Sequence, residues 1–141
     1  TSGEGWVMIG DARAFLDPIY SSGLYLALGS AELAAQCIDE ALKSGDVSAA
    51  RLSRFEPALM KGVEVVRRLI HAFYDPKFSF MDFARRFPEH RNALIDCLVG
   101  DVIKDMSAFT TALAQMTTPP PPRPRRRRKI DSNNVQQKYR L

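Results

Sequence analysis

Gly10–Leu28 reads GDARAFLDPIYSSGLYLAL, and the fold turns on how this stretch is read. It follows Trp6-Val7-Met8-Ile9, a short apolar run that suits a buried strand closed by Gly10. Asp11 to Tyr20 carries Gly, Asp and Pro punctuation and reads as a loop. Ser21 or Ser22 then stands where a helix N-cap is expected. Beyond it, Leu24, Leu28, Ala31, Ala35, Ile38 and Leu42 recur at steps of four and three, the spacing of one helical face. Gly45 is placed to end that helix.

The residue types in the turn carry chemistry of their own. Gly10 has no side chain, so a ligand can approach its backbone closely. Asp11 offers an acceptor-only carboxylate, suited to the hydroxyls of a sugar or polyol. Ser22 and Gly23 place backbone N–H groups at a helix start, where an anion or a polarised carbonyl oxygen is stabilised. A polyol-bearing, partly anionic cofactor lying across the turn fits this set. The plain alternative is a strand–turn–helix with an Asp in the turn and a Ser cap.

Downstream, Ser48 is placed to cap a long helix reaching Tyr74, with Leu52, Phe55, Leu59, Val66, Leu69 and Phe73 as its buried stripe and a kink at Pro57. Asp75-Pro76 ends it. A short helix is expected around Phe80 to Arg86, another from Pro88 to Leu98, and a last one over Val102 to Met116, with Gly100 as the joint. The expected elements are therefore one short strand, then four or five helices, too few for an α/β domain alone and so the back portion of something larger. The chain begins with Thr1 rather than Met, in keeping with a fragment or a processed product.

Charge divides the chain. From Pro119 onward eight Lys or Arg face one Asp, a balance of +7, so Thr1 to Thr118 carries −3. PPPPRPRRRRK favours polyproline II and self-repulsion, so 119–141 is expected to be a disordered basic tail beyond a domain at 1–118. Its arginines suit phosphate backbones through counterion release, although no interleaved aromatics favour base stacking. That tail is the seed of the rival reading: a non-catalytic helical module binding nucleic acid or a partner. Cys37 and Cys97 form no CxxC and no Cys/His cluster, which suits two reduced thiols in a cytoplasmic protein. No apolar stretch reaches the ~20 residues a membrane span needs. His71 and His90 are isolated, and Asp96, Asp101 and Asp105 lack the spacing of a calcium loop. No metal site is expected.

GDARAFLDPIYSSGLYLAL closely resembles the second flavin-contacting motif of flavin-dependent halogenases and their related monooxygenases, GDAAxFxDPxxSSGxxLAL. The match includes Gly10, Asp11, Phe15, Asp17, Pro18, Ser21, Ser22, Gly23 and the closing Leu26-Ala27-Leu28. The resemblance runs from about Gly5 to Met116 and leaves the tail outside. It implies a mainly α fragment of an α/β FAD-binding fold, with FAD as cofactor and Asp11 hydrogen-bonding its ribityl or phosphate-adjacent part. It places Gly10 and the segment Pro18, Ser21, Ser22 and Gly23 beside the flavin, and gives the amides of Ser22 and Gly23 to halide. It further implies reduced flavin from a flavin reductase, O2, and a small organic substrate that is halogenated or hydroxylated. A reductase of unsaturated lipids on a related flavin fold is a third enzyme reading. Tryptophan halogenases carry a catalytic Glu where this sequence has Tyr20; an aromatic there is more like halogenases of phenols or pyrroles. Arg13 stands where a small residue is usual, so a long cation is expected near the cofactor or in solvent. The chain has no GxGxxG, and neither the family's halogenation lysine nor its Trp-x-Trp-x-Ile-Pro segment, so no catalytic residue is assigned and the chain alone is not expected to catalyse.

Overall fold

A computed structural model describes residues 2–16 and 22–122. The chain opens as a hairpin of two two-residue strands, β1 (Ser2–Gly3) and β2 (Trp6–Val7), paired Ser2 to Val7 and Gly3 to Trp6. The expected strand at Trp6 to Ile9 is thus shorter and belongs to a hairpin. It is also not buried, since Trp6 and Ile9 are exposed. It pairs with β1, and the Gly5 N–H in the turn between the two strands donates to the Val47 carbonyl at 3.0 Å. Residues read as loop instead begin with one helical turn, α1 (Gly10–Arg13).

The helix α2 (Ser22–Ser44) starts where the serine pair predicts and ends at Gly45, whose φ of 68° is the left-handed conformation glycine adopts freely. Its buried face differs from the expected one. Ser22, Leu26, Ser30, Ala34 and Ala41 face the interior, whereas Leu24, Leu28 and Leu42 are 72%, 64% and 68% exposed. Small side chains explain the reversal, because they let neighbouring backbone come close. A Cβ on Gly29 would sit 2.5 Å from Ile103 Cδ1, and one on Gly100 only 2.8 Å from the Ser22 carbonyl oxygen. α2 therefore carries two apolar faces, one packed within this chain and one turned outward.

The expected Ser48–Tyr74 helix is two helices, α3 (Ala49–Leu52) and α4 (Glu56–Phe73). Ser48 does cap α3, its hydroxyl accepting from the Arg51 N–H. Pro57 does not kink a continuous helix; it occupies the first turn of α4, where its missing N–H costs nothing. α4 is the central element and buries Leu59, Val63, Val66 and Leu69, while Phe73, expected in the stripe, is exposed. α5 (Phe80–Arg86) is capped by Ser79 and anchored by Phe83. A 3-10 turn from Pro88 leads into α6 (Arg91–Val99). Gly100 follows at φ 92°, the expected joint. α7 (Ser107–Ala114) is shorter than expected because residues 101–106 are not helical.

Two apolar clusters meet on α4. One joins Ala34 of α2 to Phe55, Leu59 and Val63. The larger joins Leu26 to Val66, Leu69, Phe83, Leu94, Phe109 and Leu113. Phe83 sits at its centre, edge-on to Phe109 at 5.7 Å between ring centroids. Among the described residues, no helix is long and apolar enough to cross a membrane.

Candidate functional site

The start of α1 is tied to α2 by a residue the motif did not single out. Ser30, fully buried, accepts the Gly10 N–H at 3.0 Å and donates to the Ala27 carbonyl at 2.8 Å. Gly10 takes φ 55° there, and a Cβ on it would lie 3.3 Å from the Ala27 Cβ. Glycine thus permits both the left-handed backbone and the close approach of α1 to α2. The effect is to hold Asp11 over the first turn of α2: its Oδ1 lies 3.7 Å from where a Cβ on Gly23 would be. Asp11 is exposed, whereas the side chain of Ser22 is buried under Gly100. Gly10, Asp11, Ser22 and Gly23 are therefore brought together, with the carboxylate on the open side. Pro18 and Ser21 lie outside the described residues, as do Asp17 and Tyr20.

Behind this group the fold is closed. The cavity between Gly10, Gly23, Leu26, Ser30, Leu59 and Val63 is about 10 Å³, no more than a water would fill. A ring-sized ligand has to lie on the outer, Asp11 side. Arg13 lines the same small cavity and is mostly buried, pointing to Glu56 at 3.9 Å, a carboxylate that also accepts from the Ser2 hydroxyl at 3.0 Å. The cation is thereby held near the start of α4. An acceptor-only carboxylate beside the N–H groups of a 23-residue helix suits a ligand carrying both hydroxyls and negative charge.

The sequence profile of the tryptophan halogenase family matches residues 3–115. This chain belongs to the tryptophan halogenase family. It is 36% identical over 100 residues to a 1H-pyrrole-2-carbonyl-[peptidyl-carrier protein] chlorinase of Pseudomonas fluorescens, covering 71% of this chain and 22% of that protein. It is 38% identical over 61 residues to a tryptophan 2-halogenase of Chondromyces crocatus, covering 43% of this chain and 12% of that protein. A digeranylgeranylglycerophospholipid reductase of Methanosphaerula palustris is 39% identical over 56 residues, 40% of this chain and 14% of the reductase. The halogenase-family chain thus matches about a fifth or less of the length of these relatives.

Other titratable groups of this halogenase-family chain have structural roles. Lys104 Nζ bridges Asp96 and Asp101 at 2.8 and 2.7 Å, and these two hydrogen bonds raise its pKa above the ordinary lysine value. Asp105 accepts the Ser107 N–H at 2.9 Å, which lowers its pKa. The three aspartates that invited a metal reading are thus used in ion pairs and a turn. Among the described residues no group of three or more His, Cys, Asp or Glu could hold a metal ion. Burial pushes the Cys97 thiol up to about 12, so it stays protonated and packs as an apolar side chain, while Cys37 is half-buried. His90 stands 3.9 Å from Glu89, and His71 lies on α4; neither adjoins Asp11 in the cavities these residues line.

Proposed function

We propose that this chain is the C-terminal part of a flavin-dependent, halogenase-like oxidoreductase and supplies one wall of its FAD site. The observation carrying this reading is the exposed Asp11 carboxylate set over the first turn of α2, 3.7 Å from the Gly23 Cβ position. Asp11 would accept hydrogen bonds from the cofactor's hydroxyls, and the N–H groups of Ser22 and Gly23 would face its negative charge or a halide ion. When bound, the flavin supplies the oxidising chemistry; this chain's residues bind, orient and shield it. Ser30 keeps Gly10 and Asp11 in register with the helix, and the filled interior behind Gly23 excludes water from that side. Pro18 and Ser21 complete the proposed contact segment.

The outward Leu24, Leu28, Leu42 face of α2 supports the same reading. An exposed apolar stripe along a long helix is what a larger domain covers, and the matched relatives are several times longer than this chain. In the intact enzyme we assign that face to contact with the rest of the flavin domain. We assign substrates of the class named for the chlorinase relative, a pyrrole carbonyl carried on a protein, because Tyr20 stands where the resemblance puts the catalytic Glu of tryptophan halogenases. Reduced flavin would come from a separate reductase, with O2 and halide as co-reactants. The Arg-rich tail lies beyond residues 3–115, the part that the family profile matches.

The test uses the longer polypeptide that carries this chain, purified and titrated with FAD by quenching of flavin fluorescence. Asp11→Asn is expected to weaken binding about tenfold, the effect of losing one charged hydrogen bond of ~1.5 kcal/mol. Reaction with a reductase, O2 and chloride or bromide on a pyrrolyl carrier protein should give a product heavier by one halogen. Failure of the polypeptide to bind flavin at all sinks the reading; hydroxylated product without halide moves it to the monooxygenase branch.

A further inference from the structure

The segment after α7 is not used by the flavin reading, and as far as Pro122 it does not simply run off into solvent. Met116 packs against the larger core cluster, and the Thr117 hydroxyl donates to the Leu113 carbonyl at 2.9 Å. The chain then returns to α4, where Arg67 Nη1 donates to the Pro121 carbonyl at 2.8 Å. That arginine is not a loose side chain. Its Nε and Nη2 donate to the two oxygens of Glu64 at 2.9 and 3.0 Å, a bidentate fork that leaves Nη1 aimed outward. An open cleft of about 390 Å³ is lined by Ile70, His71, Tyr74, Asp75 and Pro76 together with Pro120 and Pro121.

We propose that the C-terminal half of α4 is a polyproline-binding surface, occupied by the chain's own Pro119–Pro122. Proline has no N–H, and a polyproline II segment makes no internal hydrogen bonds, so its carbonyls are its only strong handles. A surface that recognises it has to offer a fixed donor beside flat apolar walls, and ring-locked residues lose little entropy on docking. Arg67, held by Glu64, is that donor; Ile70, Tyr74 and Pro76 are the walls. The consequence is positional. Pro121 is held beside α4, away from the end of α7. The matched family profile ends at residue 115, before this strap begins, and the inference is independent of the flavin reading.

The test is nuclear Overhauser spectroscopy on the full chain, labelled with 13C and 15N. Contacts from the Hδ protons of Pro120 and Pro121 to Ile70 and Tyr74 are expected in the unaltered protein, with loss of at least five-fold in their intensity in Arg67→Ala. Methyl shifts of Val66 and Leu69 should stay in place, showing that the core is unchanged. Should Arg67→Ala not fold, Arg67→Lys keeps the charge without the fork and is read in the same way. Replacing Pro119–Pro122 by Gly and Ser should abolish the same contacts while leaving the core shifts alone. Absence of the contacts in the unaltered chain overturns the proposal, as does their survival at full intensity in a folded Arg67 variant.

Discussion

Ser30 joins two elements through a single oxygen. It accepts from Gly10 and donates within α2, so its removal leaves the Gly10 N–H without its partner in a half-buried place. Ser30→Ala is expected to lower unfolding stability by about 1–3 kcal/mol, the cost of an unsatisfied donor, measured by urea denaturation. Cys97 gives a second prediction. Its thiol is pushed up to about 12 by burial, above its unfolded value of 9.0, so the folded form holds the proton more tightly. Its contribution to stability is complete below about pH 9 and is lost as pH rises through 9 to 12, where only the unfolded chain gains a thiolate. At pH 8 a disulfide reagent should label Cys37 and spare Cys97 until denaturant is added; rapid labelling of both in the folded chain would show that Cys97 is not packed as described. That Gly10 permits a close approach was readable from residue type, although the partner that approaches it in the structure is Ala27 of α2. The role of Ser30 was not, because a serine inside an apolar helix looks like a neutral interior residue until its partner across the fold is known.

α2 shows how periodicity is right while the assigned face is wrong. Leu24, Leu28 and Leu42 do form a stripe, but the interior of this chain is met by Leu26 and the small residues Ser22, Ser30 and Ala34. Leu26→Ala should cost about 2–4 kcal/mol through lost burial and the cavity left behind. Leu28→Ala should change stability by no more than ~0.5 kcal/mol. Parallel urea curves on the two variants decide the matter, and equal losses would mean that the outer stripe is buried after all. Hydropathy weights bulk, whereas close helix packing here selects for its absence; no reading of one segment reveals which of two apolar faces its neighbours take. Other elements were more legible. Phe80–Arg86, Gly45 and Gly100 each act through local backbone chemistry, and the structure places them as the sequence indicates. Pro57 was read as a kink because the break at Ser53 to Phe55 carries no glycine or proline to announce it.

The molecule as a whole is a helical unit centred on α4, with the Asp11 group on one side and the proline strap on another. In the longer polypeptide, Leu28→Glu with Leu42→Glu should lower thermal stability and weaken FAD binding, because both residues would then be charged against the rest of the flavin domain. In the chain as it stands, the same pair should leave the unfolding midpoint nearly unchanged. Comparing melting curves of the two proteins separates an internal contact face from an ordinary surface; no difference between them would show that nothing covers α2. Sequence alone determined the features set by local chemistry: the caps, the glycine joints, the Asp–helix motif and the family it marks. Tertiary structure alone decided which face of α2 is inside, where Arg13 points, what fixes Gly10, and that the proline run returns to α4. These depend on contacts between residues far apart in the chain, and the energy of such contacts lies in shape and partnership that no single stretch contains.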